Sequence, residues 1–141
     1  MIKDDLSLKG KLTIAVNGQT VREVPNLVVT AGKEFVASRM AGVSSDEMSH
    51  MAIGTSSTSP AAADITLGTE AARVTLTSTT VTNANVVYVA SFPAGTGTGA
   101  IVEAGLFNAA SGGDMLCRTT FAVVNKGAND SITITWTVTV S

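Results

Sequence analysis

Val86-Val-Tyr-Val-Ala-Ser-Phe92, Pro93-Ala-Gly-Thr-Gly-Thr-Gly99, Ala100-Ile-Val-Glu-Ala-Gly-Leu-Phe107, Asn108-Ala-Ala-Ser-Gly-Gly-Asp114 and Met115-Leu-Cys-Arg-Thr-Thr-Phe-Ala-Val-Val124 follow one another without a gap. Apolar, Thr-rich runs alternate with breakers dense in Gly, Asn, Ser and Asp, the pattern of a chain that folds back on itself as antiparallel strands. The closing run, Ser131 to Val140, is the clearest strand of all. Ile132, Ile134, Trp136, Val138 and Val140 share one face, and Thr133, Thr135, Thr137 and Thr139 share the other.

Working outward, residues 11–16 alternate with Leu12, Ile14 and Val16 on one face. Asn17-Gly18 supplies a two-residue hairpin turn, and residues 20–24 return as the partner strand. Pro25 is expected to end that strand, because it has no N–H to give a ladder. Residues 26–30 are a short β-branched run. They lead into one helix, with Thr30 as cap, Glu34 near the positive end and Gly42 as terminator. Phe35, Arg39 and Met40, with Val36 beside them, form its packing face. Residues 44–49 read as a polar connection and 51–53 as a brief strand. Residues 55–70 read as a long surface loop with a helical turn near 61–64, and such loops are usually functional or mobile. Further strands are expected at 73–81, 86–92, 101–107, 115–124 and 132–140. Residues 1–10 read as an arm or short edge strand with Ile2, Leu6 and Leu8 as its apolar handholds. Together these elements give one domain over residues 1–141: all-β, an antiparallel β-sandwich of jelly-roll type with one short helix.

Composition narrows the functional classes. The chain is 45% apolar but only 4% aromatic, and 14% charged against a usual share of about 25%. Mean hydropathy is +0.33, and few charges on a small-residue surface suggest an exterior partly covered by another protein. No run is long enough for a spanning helix, and the acids near the N-terminus argue against export. The net charge of −2 and the scattered Lys and Arg lack the footprint of a nucleic-acid binder. A single cysteine, Cys117, excludes an intrachain disulfide and a Cys-cluster zinc site.

Candidate chemistry is sparse. His50 has only Asp46 and Glu47 near it and reads as a polar loop histidine. Gly95-Thr-Gly-Thr-Gly99 lacks the Gly-Lys-Ser/Thr ending and the following helix of a phosphate loop, so it reads as a flexible hairpin loop. Glu103 lies inside an apolar strand, either facing the surface or paired with Arg118 across neighbouring strands. Trp136, in phase with four aliphatic residues, reads as core. No catalytic constellation, metal site or cofactor site emerges.

Several segments resemble small tailed-bacteriophage virion proteins: Asn-Leu-Val-Val-Thr-Ala-Gly-Lys (26–33), His-Met-Ala-Ile-Gly-Thr (50–55), Thr-Leu-Gly-Thr-Glu (66–70) with Arg73, the segment 92–108, and Asn-Lys-Gly-Ala-Asn-Asp-Ser-Ile-Thr-Ile-Thr-Trp (125–136). By size and all-β character the chain is most similar to the jelly-roll capsid cement (decoration) proteins of short-tailed Bordetella phages. That resemblance implies a non-enzymatic homodimer, without cofactor, that is made in the host cytoplasm. It would sit on the outer surface of the capsid and bridge subunits of the major capsid protein, touching neither nucleic acid nor membrane. Ile2, Leu6 and Leu8, with the 55–70 loop, are the expected contacts. Glu-Ala-Gly-Leu-Phe-Asn (103–108) also resembles a tail-fibre pattern, so a tail-fibre or baseplate component is the alternative. A carbohydrate-binding β-sandwich module is a second alternative.

Overall fold

The computed structural model describes residues 6–43 and 46–141. Ile2, the first half of the expected arm and the start of the 44–49 connection lie outside the described residues. The elements in chain order are β1 (Leu8–Val16), β2 (Gln19–Val28), α1 (Thr30–Met40), β3 (His50–Gly54), β4 (Glu70–Thr75), β5 (Ser78–Thr82), β6 (Asn85–Phe92), β7 (Gly99–Phe107), β8 (Met115–Lys126) and β9 (Ile132–Val140). All nine strands join one curled antiparallel sheet in the order β4-β3-β7-β8-β2-β1-β9-β6-β5.

The β1–β2 hairpin forms as expected, with Asn17 and Gly18 at φ 49° and 84°, the positive values a tight two-residue turn requires. Pro25 does not end β2. The strand runs on to Val28, pairing with β1 through Asn26 and with β8 only at Leu27 and Val28. The Pro25 carbonyl points towards β8, where it accepts a hydrogen bond from Thr119 Oγ1 (2.7 Å). The missing N–H therefore falls on the side where the β8 ladder has not yet begun, and costs the β1 ladder nothing. By changing partner along its length, β2 carries the chain from one half of the curl to the other.

The expected strand at 73–81 is two strands, and they are the two outermost in the sheet. Leu76 N–H donates to the Ser49 carbonyl (2.9 Å), while the next N–H, of Thr77, donates to Val89 (2.7 Å). Neighbouring residues thus hang on opposite halves, and the curl's two edges meet at this corner. The glycine-rich 93–98 segment closes no hairpin, because β6 pairs with β5 and β9 while β7 pairs with β3 and β8. It bridges the halves, with Gly97 packed on Ile53 and Ala72.

Between the halves lies the main core. β1, β6 and β9 contribute Leu12, Ile14, Phe92, Ile134 and Trp136; β3, β7 and β8 contribute Met51, Ile53, Leu106 and Leu116. Each such side chain is worth about 1.5–3 kcal/mol of burial. A second cluster of Val29, Ala52, Leu67, Phe107 and Met115 lies apart from it. Trp136 is fully buried, as its periodicity implies.

α1 has Val29 rather than Thr30 at its N-cap, with no side-chain cap. The Thr30 N–H instead donates to Ala62 in the long loop (2.8 Å). Gly42, at φ 68°, ends the helix as expected, with Gly42 N–H on Arg39 and Val43 N–H on Ser38, the two bonds of a Schellman motif. Gly32 presses on the Leu116 carbonyl, leaving no room for a side chain. Phe35 and Val36 pack on the core. Met40 does not: it is 81% exposed.

Candidate functional site

Two places gather residues that sequence reasoning singled out. The first is buried. Glu103 is fully buried in β7 and Arg118 nearly so in β8, so the cross-strand pairing is realised and the surface-facing alternative is not. Glu103 Oε1 accepts from Arg118 Nε (3.2 Å), Arg118 Nη2 (3.0 Å) and the Gly68 N–H (2.8 Å). Its Oε2 accepts from the N–H groups of Ser56 (2.9 Å) and Thr69 (2.8 Å). Arg118 also donates to Asp64 Oδ2 (3.0 Å) and the Thr58 carbonyl (2.8 Å).

Burial alone would raise the Glu103 pKa. The backbone N–H groups of Thr69, Ser56 and Gly68, together with Arg118, outweigh it and hold the carboxyl below the ordinary glutamate value. Both carboxylate oxygens are saturated and sealed, so the group has no free lone pair with which to accept a substrate proton. What the cluster does is hold residues 56–69 against the sheet. The long surface loop is therefore an integral covering of the sheet, and the signal was the lone acid inside an apolar strand.

The other chemistry candidates resolve similarly. His50 opens β3 rather than lying in a loop, with Nδ1 2.7 Å from Ser49 Oγ and Nε2 3.4 Å from Thr75 Oγ1. Among the described residues no three His, Cys, Asp or Glu side chains gather to hold a metal. Cys117 is buried, which pushes its thiol well above its ordinary value and away from the reactive thiolate. Burial likewise raises the Tyr88 hydroxyl to about 12.

The second place is exposed. Leu6 and Leu8, two of the three expected contact residues, come together with Val36 and Met40 of α1 and Val140 of β9 around a groove of about 560 Å³ with Lys33 at its margin. Leu6 is 74% exposed and Val140 37%. Leu8 is not part of an arm, since β1 begins there and pairs it with Val140. From residue 8 onward the expected arm or short edge strand is thus replaced by an interior strand, paired with β2 on one side and β9 on the other. Met40 and Val140 escaped notice as contacts because each fits an amphipathic pattern that assigns it to the core. Comparison with protein-family models, with curated proteins and with solved structures finds no match.

Proposed function

We propose that this chain is a capsid cement protein, binding the outside of a phage shell and bridging major capsid protein subunits as a homodimer. The sequence resemblance over residues 26–140 motivates the reading. The observation that carries it is the open apolar groove of Leu6, Leu8, Val36, Met40 and Val140, on a body whose buried Glu103–Arg118 cluster is internally satisfied. Apolar surface left exposed in this way suits a protein partner. Cement action needs no reaction step. It needs a stiff body and an interface, near the standard size of about 1,600 Å² or smaller, repeated over the shell.

A jelly-roll winding is the finer form we assign to the curled sheet. Nested pairing of β1 with β9, β2 with β8 and β3 with β7 supports it, since winding one long antiparallel ribbon on itself produces such nesting. A carbohydrate-binding reading finds less support, because Trp136 and Tyr88 are both buried and neither offers a ring for a sugar to stack on.

The test is co-sedimentation with empty expanded shells of the cognate phage. Binding in a fixed, saturable ratio to the major capsid protein is expected, with Met40→Asp weakening it about tenfold or more, as loss of a central apolar contact does. Protein that stays free of shells and travels with tail-containing particles would replace this reading with the tail one.

A further inference from the structure

The sheet's two outermost strands are unlike. β4 carries the Glu70–Arg73 ion pair (2.7 Å) and a break in register at Ile53/Gly54, both devices that blunt an edge. β5 reads Ser-Thr-Thr-Val-Thr, with every residue exposed and Val81 70% exposed. It has no charge, no proline and no glycine, and four of its five residues are β-branched, so the strand itself carries none of the devices that blunt an edge; Arg39 and Glu47 line the hollow beside Thr79 and Val81.

Its main-chain directions follow from two hydrogen bonds. Val140 N–H donates to the Ala84 carbonyl, so Ala84 faces β9, and Thr77 N–H donates to the Val89 carbonyl, so Val89 faces β5. Strand alternation then turns Asn85, Val87 and Val89 towards β5, where they meet Thr82, Thr80 and Ser78. Thr79 and Val81 are left with N–H and C=O directed out of the sheet.

We infer that β5 is a self-association edge, pairing antiparallel with β5 of a second copy about a two-fold axis at Thr80. In that register Thr79 and Val81 of each copy exchange main-chain bonds with Val81 and Thr79 of the other. Thr80 faces its own counterpart, and Ser78 faces Thr82. The same five residues serve both sides, as a two-fold interface requires. Because none is charged, the paired strands themselves bring no like charges face to face, whereas β4 would place charged side chains against its own copy. The inference rests on the self-association part of the cement reading and needs no shell.

The experiment uses the full chain without shells, measuring dissociation by analytical ultracentrifugation and amide hydrogen exchange at low and high concentration. Dimers are expected, with protection of the Thr79 and Val81 amides rising with concentration while Thr80 is protected throughout by β6. Val81→Pro removes only an outward N–H, so it keeps the monomer fold and raises the dissociation constant about tenfold. Thr80→Lys and Thr80→Glu each weaken the dimer about threefold by facing like charges across the axis, and mixing them restores it. A protein monomeric at every concentration overturns the inference. So does a dimer whose Thr79 and Val81 amides exchange as in the monomer, or one that Val81→Pro leaves as tight as before. Either kind of dimer would leave self-association itself intact through another face.

Discussion

β9 and β7 are both nine-residue strands, yet they meet opposite surroundings. In β9 the buried residues Ile132, Ile134, Trp136 and Val138 alternate with half-exposed threonines. In β7 the five residues from Glu103 to Phe107 are buried in succession. One face of β9 meets solvent, whereas the outer face of β7 lies under residues 56–69. Where one face is wet, periodicity decides which side chains are inside. Where both are covered, an ionised group can be enclosed, and its stability then depends on partners far away in the chain.

The comparison breaks most sharply at its two centres. Trp136→Ala is expected to cost about 3–5 kcal/mol through an unfilled cavity. Arg118→Ala is expected to cost a similar 3–5 kcal/mol or so, by stranding the Glu103 charge. Urea unfolding measures both, and a second substitution separates their causes. Glu103→Gln should recover part of the loss in Arg118→Ala and none of it in Trp136→Ala.

A smaller effect sharpens the contrast by pH. Because the folded-state pKa of Glu103 is lowered, its contribution is present above the ordinary glutamate range. It fades as pH falls through that range towards the folded value. Glu103→Gln alone should cost about 1–3 kcal/mol at neutral pH and flatten the acid limb of stability against pH. A residual slope is expected from Asp130, whose carboxyl is held low by the Asn17 side chain and the Gly127 N–H. An acid limb unchanged by the substitution would remove Glu103 from this account. The smallest effect belongs to the wet face of β9, where Thr135→Val should change stability by no more than about 0.5 kcal/mol in the same urea assay.

The same contrast explains what could be read in advance. β9, the Asn17-Gly18 turn and the Gly42 helix stop were legible because each is decided by residues within a few positions. Pro25 was misread because the cost of its missing N–H depends on where the pairing of β2 with β8 begins. The division between β4 and β5 was hidden because Leu76 and Thr77 include no glycine or proline; only their partners, Ser49 and Val89, reveal the corner. The loop over β7 was legible only as a long surface loop for the same reason. Its small residues lie 34 to 47 positions from the carboxylate that fixes them. The groove was legible only as scattered apolar residues, since Leu6, Met40 and Val140 meet through tertiary structure alone.

The position of β9 also sets an order in time. β9 lies between β1 and β6, which precede it in the sequence. Until residues 132–140 have left the ribosome, both neighbours present an open edge, and Leu12, Ile14, Tyr88 and Phe92 lack the face that encloses them. Nucleation by the first hairpin cannot complete this half of the molecule, because its central ladder joins residue 8 to residue 140. Sheet closure therefore waits for β9, is governed by long-range contact, and is slow relative to the helix and hairpins that precede it.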